Sequence, residues 1–220
     1  ALGSIKRTVE ESSKSDTFSS IKLLRSSGFE NHHIADESES VLDLAIKAVE
    51  PIREKLNKLD SIIWASCLPE NATIGSRQEF EKTKDVKPLM DYPASRLQTH
   101  LRVPEAIVLG LGQQACTSML GSIRVACGLL ATEDNFNNIL CITSDRFPKG
   151  AKYEQAYNLI SDGAACCIVS REEKEFRILG SHHITNGSAV QANDEETAAV
   201  YFTYMNRIVN EILNKFNMTI

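Results

Sequence analysis

Cys116 is the side chain in this sequence whose surroundings most clearly favour chemistry. It follows the apolar stretch IVLGL at residues 107–111 and a short Gly-Gln-Gln connection, and it precedes a segment with helical spacing of apolar residues. Such an apolar run predicts a strand buried on both faces, so the thiol falls at a strand-to-helix turn. The unpaired N–H groups and the positive dipole end of a helix start favour thiolate over thiol. The pattern therefore predicts a possible cysteine nucleophile.

The same cysteine also has a purely structural interpretation. Free cysteine is among the most buried residue types and usually fills space as a small hydrophobic side chain. The segment after Cys116 is slim because Ser118, Gly121 and Ser122 are small, and a slim apolar helix is typically a buried one. Spacing alone therefore leaves both a catalytic and a packing role open.

The elements that would position this thiol are strands and helices in alternation. Residues 59–68 and 139–145 are two further apolar stretches that predict buried strands, and the helix after Cys116 lies between residues 107–111 and the second of them. Strand, helix and strand of these lengths predict a parallel βαβ unit with a right-handed crossover. The fold class is therefore α/β.

Two helices are predicted before Cys116. Residues 37–56 carry one apolar face, with Ser38 or Ser40 as the cap, and Pro51 should kink or end this helix. Residues 93–101 begin with Pro, which the first helical position tolerates well.

Three further segments complete the prediction. Residues 161–169 and 176–184 have the pattern of an antiparallel hairpin, and residues 195–216 have helical spacing. Residues 69–92 are rich in charged and turn residues. A loop of that length in a small domain is usually functional or mobile.

The composition is that of a globular protein. Of the 220 residues, 42% are hydrophobic, which is enough to build the core of one domain or two. A net charge of −5, without a long Lys or Arg run, argues against nucleic-acid binding.

No apolar run approaches the roughly 18 residues that cross a bilayer, and residues 1–30 lack a hydrophobic signal-peptide core. We therefore expect a cytoplasmic protein that does not bind membranes.

The six cysteines predict packed, reduced thiols. Most lie inside apolar runs, and Cys166 and Cys167 would point to opposite faces of a strand. Neither a Cys-x-x-Cys motif nor a Cys/His spacing typical of zinc sites occurs. We expect neither a metal nor a cofactor.

Three sequence blocks together resemble one enzyme family. The strand, the Gln-Ala-Cys-Thr turn at Cys116 and the Gly/Ser-rich helix resemble the nucleophile segment of the thiolase superfamily, in particular its 3-oxoacyl-ACP synthase III (ketoacyl synthase III) branch. ISDGAACCIV at residues 160–169 resembles the Gly-Asp-Gly-Ala block of that family, with Ser161 where Gly is usual. GFENHHIA at residues 28–35, followed by Glu39, resembles its Gly-Ile-x-x-Arg-x-Ile/Val-Ala block.

The resemblance implies a fold of two similar halves. Each half is a five-stranded mixed sheet with helices on both faces, and the halves pack into αβαβα layers. Residues 1–220 would be the N-terminal half with its connecting helix. The His and Asn that complete the site, and a Gly of the oxyanion hole, would lie in the second half. The chain would then be either part of a longer enzyme, which we prefer, or a natural half.

The resemblance also implies an activity. Cys116 would attack the thioester of an acyl-CoA or acyl carrier protein and form an acyl-enzyme, with decarboxylative condensation as the usual second step. Leu89, Met90 and Tyr92 would lie near the acyl pocket, and a homodimer would form along the strand at residues 107–111. The alternative is a catalytically silent subunit that supports a partner enzyme or binds acyl carriers.

One part of the family pattern does not match this sequence. The family holds the adenine end of coenzyme A with a Trp and an Arg, but Trp64 is the first Trp here and Arg25 is one place out of register. We therefore favour a solvated surface charge for Arg25.

Overall fold

Strands and helices alternate along the computed structural model, which describes residues 1–12, 16–68, 76–90, 92–155, 158–172, 176–188 and 192–219. In chain order the strands are β1 (Ile5–Thr8), β2 (Asn31–Ile34), β3 (Ser61–Ala65), β4 (Ile107–Leu111), β5 (Asn138–Asp145), β6 (Glu154–Gln155), β7 (Asn158–Leu159) and β8 (Gly163–Ser170). The α-helices are α1 (Ile21–Ser26), α2 (Val41–Val49), α3 (Ser76–Thr83), α4 (Pro93–Leu101), α5 (Ser118–Thr132) and α6 (Asp194–Lys215). Contacts within the chain group it into two units, Ala1–Glu172 and Glu173–Ile220.

A mixed sheet with the strand order β4-β3-β5-β8 lies at the centre of the first unit. Strand β3 is parallel to both β4 and β5, whereas β8 is antiparallel to β5. Helices α2 and α4 pack on one face of this sheet and α5 packs on the other. The predicted α/β class and the parallel β4-α5-β5 unit are confirmed.

The first residues of the chain mark a fifth position in this sheet. Leu2 forms an isolated antiparallel bridge with Gly163, and the N–H of Gly3 donates to the carbonyl of Asp162 over 3.0 Å. Residues 1–3 therefore lie alongside the start of β8. The described sheet nevertheless has four strands, whereas the family resemblance predicted five. The segment at the start of the chain makes only one bridge to β8, at Leu2, and is too short to count as a fifth strand.

The core consists of two apolar layers, one on each face of the sheet. Strand β3 is buried throughout, with Ile62 and Trp64 facing α2 and α4 while Ile63 faces α5. Cys166 and Cys167 likewise pack into opposite layers, as predicted. Burial on both faces explains why these strands are continuous apolar runs.

The start of α2 shows how local sequence fixes a helix. The Ser40 hydroxyl accepts from the N–H of Asp43, and the Asp43 carboxyl accepts from the N–H of Ser40, which is a complete capping box. Pro51 then lies in a 3₁₀ turn, Glu50–Lys55, directly after α2. The predicted cap and the predicted end of this helix are both confirmed.

Two predicted segments differ from the structure. The predicted loop at residues 69–92 contains α3 and a 3₁₀ turn, Lys87–Leu89, whereas residues 69–75 and Asp91 lie outside the described residues. The predicted hairpin is wrong: residues 176–184 form no strand, and β8 pairs with β5. Strand β8 instead pairs with β5 over eight residue pairs and is an edge strand of the described sheet.

The second unit contains the predicted C-terminal helix, α6. Asn193 caps it with a capping box to Glu196. Within this unit, the ring of Phe216 lies so close to Gly180 that a Cβ there would come within 2.3 Å of it. Glycine is therefore required at position 180 for this packing.

One helical stretch in the described part of the chain, Ala115–Thr132, is long and apolar enough to cross a membrane by length and composition alone. The expectation that no apolar stretch is long enough to cross a bilayer was therefore wrong by the measure of length and composition. Core helices of soluble proteins pass the same test, and α5 packs Ala126 and Leu130 against the sheet. The cytoplasmic location stays a prediction.

A buried polar network joins β2 to the loop before β8. His32 is 1% exposed; its Nε2 lies 2.8 Å from the Ser12 hydroxyl, and its Nδ1 donates to the carbonyl of Ile160 over 3.3 Å. Ser161 accepts from the N–H of His33 over 3.0 Å. The departure from the usual Gly at position 161 thus supplies a hydrogen bond to β2.

We expect His32 to make the protein less stable in mild acid. Burial lowers the pKa of His32 below its ordinary value of 6.5, so the unfolded chain binds more protons than the folded one between these two pKa values. The free energy of unfolding should be highest above pH 6.5 and fall by up to about 1.4 kcal/mol per pH unit below it. Urea unfolding from pH 5 to 8 measures this, and in His32→Gln the slope should be smaller. An equal slope in both proteins would contradict the assignment.

Candidate active site

Three side chains meet at the carboxyl-terminal edge of the parallel strands. Cys67 follows β3, Cys116 follows β4, and Asp145 is the last residue of β5. The carboxyl ends of parallel strands share one edge of a sheet, and α/β proteins place their ligand sites there. This edge is the candidate active site.

Cys116 lies on a sharp turn between β4 and α5. Gln113 and Ala115 both adopt left-handed backbone angles, with φ of 63° and 43°, and Cys116 follows in the 3₁₀ turn Ala115–Thr117. Such angles cost a residue with a side chain about 1–2 kcal/mol and occur preferentially at functional sites. The Cys116 side chain is exposed. The predicted strand-to-helix turn is confirmed, and the thiol is open to a ligand.

Small residues let α5 pack close to the end of β3. The Ser118 hydroxyl, which is buried, donates to the carbonyl of Ser66 over 3.2 Å. The Gln114 side chain folds over Gly121, where a Cβ would come within 1.7 Å of its Oε1 atom. A larger residue at Gly121 would therefore force the Gln114 side chain to move off α5.

Asp145 holds the residues after β3 in place. Its carboxyl group accepts from the Ser66 hydroxyl over 2.7 Å, from the N–H of Cys67 over 2.9 Å and from the N–H of Leu68 over 3.1 Å. Sequence reasoning treated Asp145 as an ordinary strand-end residue. The signal that could have identified it is its place at the end of a parallel strand, at the same edge as Cys116.

Cys67 is the functional neighbour that sequence reasoning missed. Cys67 follows β3 and Cys116 follows the neighbouring parallel strand β4, so the two thiols lie at the same edge of the sheet. Burial, together with the neighbouring Cys116 and Asp145, raises the pKa of Cys67 to about 11. Cys67 is therefore a protonated thiol at neutral pH, beside the candidate nucleophile.

The three predicted acyl-pocket residues are only partly brought together. Tyr92 lines a cleft of about 390 Å³ between the start of α4 and the ends of β3 and β4, with Trp64 and Leu111 among its other walls. Leu89 and Met90 are exposed and do not line it. A second cleft, of about 550 Å³, opens around Asp60 at the opposite ends of the strands.

Several polar side chains that could have served the site have contacts elsewhere. His32 belongs to the buried network, His100 bonds to Arg53, and His182 bonds to Glu211 within the second unit. Arg25 forms an exposed two-bond ion pair with Glu10, at 2.8 and 2.7 Å, which agrees with a surface role. Among the described residues, no group of three or more His, Cys, Asp or Glu is placed to hold a metal ion.

The arrangement of strands and thiols is that of a known class of fold. A solved 3-oxoacyl-ACP synthase III from Aquifex aeolicus superposes with a TM-score of 0.55 at 19% identity, covering 79% of this chain and 52% of that one. Another solved 3-oxoacyl-ACP synthase III gives a TM-score of 0.62 at 20% identity, covering 86% and 53%. The chain has the thiolase-like fold over about half of these proteins.

Sequence comparison agrees with the fold. Residues 112–187, which begin just before Cys116, match the family model of 3-oxoacyl-[acyl-carrier-protein (ACP)] synthase III. The β-ketoacyl-ACP synthase III 2 of Staphylococcus epidermidis is 28% identical over 166 residues, and that of Bacillus cereus is 23% identical over 171 residues. The matches cover 73% and 75% of this chain but only 45% and 46% of those proteins. Over the part that matches, this chain is similar to ketoacyl synthases III.

Proposed function

We propose that the protein containing this chain transfers acyl groups through an acyl-enzyme on Cys116, as a ketoacyl-synthase-III-like condensing enzyme. The observation that carries the proposal is the exposed Cys116 on the turn before α5, within the segment that matches the family model. The relatives are named β-ketoacyl-ACP synthases, which supports acyl carrier protein thioesters as substrates; acyl-CoA is the alternative acyl donor in this proposal.

The chemistry follows from the position of the thiol. The Cys116 thiolate attacks the thioester carbonyl, the C–S bond to the carrier breaks, and the carrier leaves as a free thiol. The acyl group then passes to a carbon nucleophile formed by decarboxylation of a malonyl thioester. The His and Asn that would assist this step are proposed to come from a second half, since His32, His100 and His182 have other contacts.

Two further features are proposals on the same basis. Tyr92, at the cleft, and the exposed Leu89 and Met90 would select acyl length. Strand β4 is at the edge of the sheet and pairs only with β3 in the described chain, which supports a homodimer along that edge.

The test is selective modification of Cys116 in the complete protein. Incubation with an acyl-CoA should give an acyl adduct on Cys116, and iodoacetamide should label it faster than the other five cysteines; peptide mass spectrometry locates both. Cys141, which is buried, is the internal reference. Labelling of Cys116 no faster than that of a model thiol, without an acyl adduct, would instead favour a catalytically silent subunit.

A further inference from the structure

A second thiol beside the candidate nucleophile suggests a role that acyl transfer does not require. Cys67 and Cys116 follow the parallel neighbours β3 and β4, and the N–H of Ser66 donates to the carbonyl of Leu111 over 3.1 Å, which holds the two strand ends side by side. Cys67 is partly buried, whereas Cys116 is exposed. An exposed reactive thiol with a second thiol at its side is the arrangement found in redox-sensitive sites.

The backbone fixes this pair from both sides. On the Cys67 side, the Asp145 carboxyl accepts the N–H groups of Cys67 and Leu68 over 2.9 and 3.1 Å. On the Cys116 side, the Ser118 hydroxyl lies 2.5 Å from the carbonyl of Ala115 and 3.2 Å from the carbonyl of Ser66, so the start of α5 lies next to the residue before Cys67. The fold therefore holds the two turns that carry the thiols side by side.

We propose that Cys67 is a resolving thiol: after a hydroperoxide oxidises Cys116, the two sulfurs form a disulfide that blocks acyl transfer reversibly. The inference rests on the proposed function only in requiring that Cys116 be a reactive thiolate. It assigns a modification site to a residue that has no part in the acyl-transfer steps.

The reaction balances in two steps. The Cys116 thiolate attacks one peroxide oxygen, the O–O bond breaks, and an alkoxide or hydroxide leaves while Cys116 becomes a sulfenic acid. The Cys67 sulfur then attacks the sulfenic sulfur, water leaves with the Cys67 proton, and the S–S bond forms. One peroxide has accepted two electrons from the two thiols. A dithiol reductant returns both electrons and restores Cys116.

The neighbours of Cys67 support this order of events. Burial, together with the neighbouring Cys116 and Asp145, raises the pKa of Cys67 to about 11, so Cys67 stays protonated, and the exposed Cys116 meets the hydroperoxide first. A sulfenic acid on Cys116 is neutral in its protonated form, which removes the contribution of Cys116 to the raised pKa of Cys67. Ionisation of Cys67 then becomes easier at the moment when its attack is needed.

Other thiols in the described chain are less suited to this reaction. Cys141 and Cys167 are directly opposite each other on β5 and β8, but they point into the apolar layer under α5, where Cys141 is buried. A hydroperoxide in water reaches exposed Cys116 more readily. Cys141 and Cys167 therefore serve as the control: they are also a pair of neighbouring thiols, but the protein encloses them.

In the experiment, three forms of the complete protein are treated with hydrogen peroxide: the unsubstituted protein, the Cys67→Ser variant and the Cys141→Ser variant. Each is then digested without a reducing agent, and mass spectrometry identifies the peptides that are joined by a disulfide. The unsubstituted protein and Cys141→Ser should form a Cys67–Cys116 disulfide, and dithiothreitol should restore iodoacetamide labelling of Cys116. In Cys67→Ser that recovery should be lost, because Cys116 proceeds to sulfinic and sulfonic acids.

The outcomes separate this proposal from the proposed function. Oxidation of Cys116 to the sulfinic acid in the unsubstituted protein, without a disulfide to Cys67, overturns the resolving role. Acyl adducts on Cys116 in that same protein would leave the acyl-transfer proposal intact. Conversely, a Cys67–Cys116 disulfide in a protein that takes up no acyl group supports the redox site and rejects the acyl-enzyme.

Discussion

Replacement of Cys116 by alanine should abolish acyl transfer by the complete protein while leaving it folded. Removal of a covalent nucleophile typically lowers kcat/KM by a factor on the order of 10⁴ or more. The side chain is exposed, so little packing is lost and the free energy of unfolding should change by less than about 0.5 kcal/mol. Steady-state turnover of an acyl-CoA with a malonyl thioester, together with mass spectrometry of the acyl-enzyme, measures the effect.

Cys127→Ala is the matched control for this substitution. Cys127 lies three helical turns further along α5 and packs partly buried against the sheet, so its loss should affect stability slightly and leave turnover within about twofold. A Cys116→Ala protein that keeps most of its turnover would reject Cys116 as the nucleophile. A loss of the same size in both variants would point to a damaged helix and not to missing chemistry.

The turn at Cys116 could be predicted because its causes are local. Strand β4 is a continuous apolar run, and the small residues Ser118 and Gly121 let the following helix pack closely, so both elements can be recognised in the sequence. The same reasoning explains why β3, β5 and α2 were predicted. The predicted burial of β4 on both faces is wrong: this strand is at the edge of the sheet, and Ile107 is 51% exposed. Residues 176–184 have an equally strand-like pattern, but pairing is decided by which partner strand is available.

The neighbours of Cys116 could not be predicted because they meet only through tertiary structure. Cys67 looked like one more thiol in an apolar run, and Asp145 looked like an ordinary end to a strand. Their roles follow from the parallel pairing of β3 with both β4 and β5, which brings three distant chain positions to one edge. Asp145 accepts hydrogen bonds from backbone N–H groups, which almost every residue type has. The types of the donating residues therefore cannot reveal these bonds in the sequence.

Replacement of Asp162 by asparagine should destabilise the protein by about 3 kcal/mol. Asp162 is 1% exposed, and both of its carboxyl oxygens accept: Oδ1 from the N–H of Phe147 over 2.8 Å, and Oδ2 from the N–H of Ala35 over 2.8 Å and from the Tyr153 hydroxyl over 2.9 Å. An amide turns one acceptor into a donor that faces another donor, which leaves buried groups unsatisfied. Urea unfolding at neutral pH measures the change.

Tyr153→Phe distinguishes this explanation from general damage to the network. That variant removes one hydroxyl and leaves both backbone N–H groups bonded to Asp162, so its cost should be about 1 kcal/mol. If Asp162→Asn were no more costly than Tyr153→Phe, the two backbone hydrogen bonds would contribute nothing. We expect the larger loss of unfolding free energy in Asp162→Asn because Asp162 bonds to two separate parts of the chain. Its carboxyl group joins the residue before β8 to Ala35, which follows β2, and to Phe147, which follows β5. The role of Asp162 is structural, since its carboxyl group accepts three hydrogen bonds within the fold.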